Sequence, residues 1–288
     1  MELLKTSRRA NDFGDVLHIA AQVAFVGLIG ALVLIFQLPA VAFLLAIVSK
    51  WRIFAVRPRY WRANLTTNLV DLLFLVGVTA LIIKPWVIPI SATNHELQTS
   101  SQAASLLWLA VLAVWQIWLK PRTTQTMVLL QAGVAQFVAI VALCTYAGMT
   151  PELNTINQLV FMMLVAGTWL IAYASARHAI SSYEAEPKIS FLAQLWGFLM
   201  ASLAWLYGHW MHVYIITPDL QIPQFALIVL LLSFCAIRAY GFQRHLNNDK
   251  AIARVKTRQS LRDLYVAAIF TGIFLFVVIA STRWSVAL

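Results

Sequence analysis

Charge is scarce in this chain. Only 11% of its 288 residues are Asp, Glu, Lys or Arg, where a soluble domain of this size carries about 25%. A deficit of that size excludes an ordinary water-soluble globule. Acids are scarcer still, with 11 Asp and Glu against 21 Lys and Arg. Cysteine is nearly absent, and Cys144 and Cys235 both lie inside apolar runs. The topology read below puts them toward opposite ends of their helices, so two free, packed thiols are expected rather than a bridge. Glycine is low at 11 residues. No pair of Gly/Pro-interrupted segments recurs in matching halves, as it does in transporters built on broken helices. HExxH, GxGxxG, the Walker GxxxxGK[ST], CxxC and GxSxG are all missing, which leaves an enzyme without a motif to support it. No strand signal, internal repeat or low-complexity tract is evident.

What the chain has in abundance is apolar length. Hydrophobic residues make up 61% of it. Nine apolar segments follow one another, at 15–36, 39–55, 66–84, 103–119, 124–146, 155–176, 189–213, 224–240 and 262–282, with boundaries good to about three residues. Several reach the roughly 20 residues that cross about 30 Å of hydrocarbon. The expected fold is therefore all-α: a single polytopic membrane bundle over residues 1–288, with about nine transmembrane segments. The second opens at Pro39 almost without a connector and reaches Lys50 early, so it is read as either a short span or a re-entrant hairpin. The run from Val16 to Phe36 is too long for the core of a cleavable signal peptide and is read as a retained first span.

The Lys and Arg residues are distributed by connector. If every segment crosses, all of them fall on one side except Lys84 and Arg283. This is the positive-inside pattern, and it puts the N-terminus inside an integral protein of the plasma (cytoplasmic) membrane. The net charge of +10 is thereby assigned to membrane topology and anionic headgroups, not to nucleic acid. Expected partners are membrane lipids, anionic on the inner face, and another membrane protein if the chain is an accessory subunit.

Four clusters are candidate sites. Asp71, about 8 Å into the third segment at 1.5 Å per residue, needs a partner or water at that depth. Asn68 shares its face, and His18 on the first segment lies at similar depth. A His18–Asp71 pair would bind a cation or pass a proton, or simply pin two helices. On the inner face, Arg57, Arg59, Trp61 and Arg62 offer guanidinium groups beside an aromatic, suited to lipid phosphate or to plain anchoring. Lys250, Arg254, Arg258 and Arg262 recur every four residues after the cap-like Asn247-Asn248-Asp249, forming a basic helical stripe.

The fourth cluster is His209 and His212. At spacing i and i+3 they share a helical face and would reach one metal ion or haem iron, with His95 and Glu96 from the 85–102 loop as further ligands. The competing reading is a pair of interfacial residues. Gly197, Ala201, Ala204 and Gly208 form a close-packing stripe on the same segment. Thr150-Pro151-Glu152 and Thr217-Pro218-Asp219 read as helix starts or tight turns. Polar residues at mid-depth are few: Gln131, Gln136 and Gln194.

No cofactor is called for beyond that metal or haem option. Three functions remain: a carrier handling a small solute, ion or lipid within the bilayer, a non-catalytic scaffold or accessory subunit, and a metal- or haem-binding membrane protein.

Overall fold

The computed structural model describes residues 12–87, 95–147, 158–183, 186–209, 212–217, 219–246 and 251–281. The described residues are almost wholly helical. Seven helices are long and apolar enough to cross a membrane. They expose large apolar side chains around their outer surfaces, among them Phe191, Phe198, Ile269 and Phe276. An exterior of that kind is suited to lipid, where helices satisfy their own backbone groups.

The apolar runs become α1 (Asp12–Gly30), α2 (Pro39–Val48), α3 (Trp61–Val87), α4 (His95–Val114), α5 (Gln125–Ala147), α6 (Gln158–Ser181), α7 (Ile189–Tyr207), α8 (Gln224–Leu246) and α9 (Ala251–Ala280). A widened turn, Ala31–Ile35, extends α1. The chain then reverses through Gln37, whose φ of 54° is left-handed, and α2 begins with Pro39 in its first turn, where a missing N–H costs nothing. Ten residues at 1.5 Å each give α2 about 15 Å, half of the hydrocarbon thickness. It is therefore too short to cross as a full span.

Several expected boundaries move. Helix α3 begins five residues before the apolar run and continues through Pro85. Residues 95–102, read as polar loop, already belong to α4. The basic stripe forms no separate surface helix, because Arg254 and Arg258 lie on the first turns of α9. Residues 247–250, with the proposed cap, and Thr150-Pro151-Glu152 lie outside the described residues.

The largest departure is a small β-hairpin, β1 (Val213–Ile215) paired antiparallel with β2 (Gln221–Pro223). Thr217 closes its turn, accepting from the Leu220 N–H at both its carbonyl (3.1 Å) and its hydroxyl (3.0 Å). Thr217 and Asp219 thus belong to a tight turn rather than a helix start. The strands were invisible to periodicity because each has only three residues.

Small residues set the close approaches. The α7 stripe packs on α6: a Cβ at Gly197 would lie 3.0 Å from the Trp169 ring, and one at Gly208 would strike Phe161. Where α3 crosses α5, a Cβ at Gly77 would stand 3.0 Å from the Ala139 Cα and 3.3 Å from its nitrogen. Backbone cannot swing aside as a ring can. Gly77→Leu should therefore destabilise the bundle by about 2 kcal/mol through overpacking. Thermal unfolding in detergent reads this directly, and an unchanged midpoint would show that the crossing relaxes freely. Cys144 is buried and Cys235 half-buried, and both are free thiols.

Candidate functional site

One end of the bundle gathers the connectors between α2 and α3, α4 and α5, α6 and α7, and α8 and α9. Most of the described Lys and Arg lie there, and it is called the basic end below. Asp71 sits at this end, level with Lys120, which caps the widened turn that follows α4. Its Oδ2 accepts from Lys50 Nζ at 2.5 Å and lies 2.9 Å from Lys120 Nζ. Its Oδ1 accepts from the Trp115 indole N–H at 3.0 Å, and that indole stacks on Phe74 at 3.9 Å. A widened helical turn, Trp115–Leu119, aims the indole and then Lys120 at the carboxylate. Turns of this width occur often at functional or strained positions.

The partners of Asp71 are thus two ammonium groups and an indole. The side chain of His18 lies outside the described residues. Asn68 donates to the Asn64 carbonyl at 2.8 Å, one turn back on its own helix. Beside this cluster, Gln131 donates to the Leu119 and Arg122 carbonyls, both at 2.8 Å, and its amide oxygen lies 3.0 Å from His178 Nε2. A further tie closes the same end. Tyr240 Oη and Arg244 Nη1 donate to Glu186 Oε2 at 2.5 and 2.9 Å. The Tyr240 hydroxyl, the Lys188 N–H and the Arg244 guanidinium hold the Glu186 carboxyl below the ordinary carboxylate range.

Arg57, Arg59, Trp61 and Arg62 are all exposed. Trp61 donates to the Phe54 and Val56 carbonyls at 3.1 and 2.9 Å. The Arg59 guanidinium lies 4.6 Å over the Tyr60 ring. With Trp51 and Phe54 also exposed, they make a basic and aromatic ledge of the kind that sits among headgroups.

The opposite end carries His209 and His212. Helix α7 stops at Tyr207, so His209 and His212 do not share a helical face as the i, i+3 spacing suggested. His209 is exposed, with its Nδ1 2.9 Å from the Trp205 carbonyl, and the His212 ring stands edge-on to Tyr214 at 5.4 Å. The side chains of His95 and Glu96 lie outside the described residues. Among the described residues no three His, Cys, Asp or Glu side chains gather as metal ligands. What organises this end is a pairing that periodicity did not reveal. Lys84 Nζ donates to the Asp219 carbonyl at 3.2 Å, and Asp219 Oδ2 accepts from Ser101 Oγ at 2.5 Å.

Between these ends lies a cavity of about 1030 Å³ against α5, walled by parts of α4, α6, α7, α8 and α9. Its lining is mainly apolar, with Trp108, Phe137, Trp196 and Leu230 among the wall residues. Toward the basic end the lining turns polar, where Gln125, Tyr183, Arg238, Gln259 and Asp263 meet it. Burial pushes the Tyr183 hydroxyl up, against the pull of Arg238 and Arg244 and a hydrogen bond from Gln125.

Few of these lining groups stood out in the sequence. Arg238 counted only as a topological charge. Asp263 is the one acid after the basic stripe, and that isolation is its signal in the sequence. Of the mid-depth amides, Gln136 lines the cavity, Gln131 is spent on the connector, and Gln194 is exposed on α7.

Comparison with known proteins gives no match: no family model, no curated protein and no solved structure is similar to this chain. The molecule is defined by its own features, a helical protein with membrane-spanning potential and a large, partly open cavity beside α5.

Proposed function

We propose that this is an integral membrane protein that handles a lipid-like amphipath, held in the cavity between α5 and the α8–α9 hairpin. One observation carries the reading: a mainly apolar chamber of about 1030 Å³ whose charged groups, Arg238 and Asp263, gather at one end. That volume matches the upper range of ligand pockets, roughly 300–1,000 Å³. Its polarity runs as a lipid's does, with chain against the apolar wall and headgroup beside Arg238, Tyr183 and Asp263.

By the positive-inside rule the basic end faces the cytoplasm, with the N-terminus inside and the plasma membrane as the location. The chamber mouth then opens at the inner headgroup level. The exposed ledge of Arg57, Arg59, Trp61 and Arg62 suits anionic lipid at the same level. Solute or ion transport through Asp71 is less favoured, because both of its oxygens are engaged by Lys50, Lys120 and Trp115. The metal or haem option has lost the helical face it rested on.

Filling the chamber tests the reading. A Cβ at Gly133 meets only Leu230, at an ordinary 3.5 Å, and Ala176 lines the same space. The double variant Gly133→Phe/Ala176→Phe should keep its fold and lose most of the lipid that wild type retains through detergent purification. Mass spectrometry of the extracted lipid reads this. Equal retention by both proteins, as expected of annular lipid alone, would sink the proposal and leave the scaffold reading.

A further inference from the structure

The rim of the chamber holds an acid and a cation that the protein does not pair. Among the described side chains three acids stand at the basic end, Asp71, Glu186 and Asp263. Asp71 is taken by two lysines and an indole, and Glu186 by Tyr240 and Arg244. Asp263 is half-buried and lines the chamber, yet it makes no hydrogen bond or ion pair among the described residues. Arg238 lines the chamber too and is exposed. Its guanidinium lies 5.4 Å over the Phe234 ring rather than on a carboxylate. The register of the α8–α9 hairpin puts the two close in height. Thr271 Oγ1 donates to the Leu231 carbonyl at 3.4 Å, and the Phe234 and Phe270 rings meet at 6.2 Å. From Phe234, Arg238 is four residues on, and from Phe270, Asp263 is seven residues back. At 1.5 Å per residue these are rises of about 6 and 10 Å, a difference under one helical turn. The Tyr183 hydroxyl stands at the same level, because a Cβ at Gly241 would lie 3.2 Å from it.

A headgroup with a single charge would pair with one of these side chains and be repelled by the other. A headgroup with both charges pairs with both. We infer that the occupant of the chamber is a zwitterionic phospholipid with a primary ammonium, an ethanolamine-type headgroup: its phosphate lies on Arg238 and its ammonium on Asp263. A guanidinium matches phosphate oxygens as a planar fork. A primary ammonium carries three N–H donors; Asp263 accepts one, and the Tyr183 hydroxyl and Gln259 amide at the same rim offer further acceptors. The inference rests on the chamber reading above and keeps its orientation, with acyl chain against the apolar wall. It adds a selection at the headgroup. The ledge of Arg57, Arg59 and Arg62 presents cations alone and suits lipids of net negative charge. The chamber rim sets an acid beside its cation and so discriminates against them.

The test uses the full chain, delipidated in detergent, with two probes: dioleoyl phosphatidylethanolamine and its N-acetyl derivative. They share chains and phosphate and differ in the ammonium. Native mass spectrometry reads the bound lipid across a titration. The chamber-filled variant Gly133→Phe/Ala176→Phe supplies the binding at the ledge and the outer surface, which is subtracted. Wild type should bind the ethanolamine lipid in the chamber about tenfold more tightly than the acetylated one, the worth of one charge-assisted hydrogen bond. Asp263→Asn should bind the two lipids alike. Asp263→Ser, also neutral, should do the same, and it carries the test if the asparagine variant does not fold. Arg238→Gln should weaken both lipids, which share the phosphate. Equal chamber binding of the two lipids by wild type, or a preference that survives the loss of the Asp263 charge, overturns this inference and leaves the chamber standing. Binding of neither lipid above the chamber-filled variant overturns the chamber reading and this inference with it.

Discussion

Asp71→Asn should cost the bundle about 3 kcal/mol or more, the scale seen when one partner of a buried ion pair is removed. The carboxylate holds two ammonium groups on one oxygen. Without its charge, those groups face each other across a neutral amide. The two lysines will not respond equally. The Lys120 side chain is 38% exposed and can turn to water, whereas that of Lys50 is 13% exposed and sits beneath α3. Lys50 therefore carries most of the penalty. Restoring apolar packing should recover much of it, since a complete buried ion pair is often replaceable by hydrophobic residues at little cost. Asp71→Asn/Lys50→Met is thus expected to be more stable than Asp71→Asn alone. Thermal unfolding in detergent, followed by tryptophan fluorescence, measures both variants. If Asp71→Asn unfolds with wild type and the double variant brings no recovery, Asp71 is not a clamp. The ion-path reading would then regain ground.

The clamp illustrates what was legible in the sequence and what was not. That Asp71 needed a partner followed from one acid in a long apolar run. Which partner it took did not, because Lys50 and Lys120 were already explained as topological charges. A residue that satisfies one rule attracts no further question, yet both lysines serve the charge pattern and the ion pair together. The fold class was legible because nine apolar runs with no proline beyond their first residue leave lipid-facing helices as the solution. The length of α2 was legible only in part: Lys50 and Arg52 pointed to an early end, but Trp51, Ile53, Phe54 and Ala55 carry the apolar run on while the backbone leaves the helix.

The histidine pair failed as a helical face for a related reason. Gly208 ends α7, and the sequence offered that glycine equally well as part of a packing stripe, a role it also fills against Phe161. The chamber was the least legible feature. It is bounded by parts of six helices, and its polar lining groups, among them Gln136, Ser233 and Asp263, become unusual only once their neighbours are known.

Lys84 is one of two exceptions to the charge pattern, with Arg283, and its burial explains why a basic residue is tolerated on the base-poor side. It is 5% exposed and Asp219 is 4% exposed, joined through the Asp219 carbonyl while the carboxylate takes the Ser101 hydroxyl. The pair fastens the β1–β2 turn across the ends of α3 and α4. Asp219→Ala should therefore cost about 2 kcal/mol: it removes the acceptor of the Ser101 hydroxyl and the counter-charge near a buried ammonium group, while the main-chain carbonyl to which Lys84 donates remains. Lys84→Met alone should cost less, since the Asp219 carboxylate keeps its bond from Ser101. The two changes together should fall well short of their sum, with a coupling of about 1 kcal/mol or more, as expected for residues in one polar network. A double-mutant cycle on thermal unfolding measures that coupling. Additivity to within about 0.5 kcal/mol would mean that the two charges do not sense each other. The hairpin would then be held by its backbone pairing and by the Gln224 amide on the Val278 carbonyl at 2.6 Å. A strong coupling would make this turn a lock at the end of the bundle opposite the chamber mouth. Opening that lock should loosen α3 from α4 without disturbing the polar rim around Arg238.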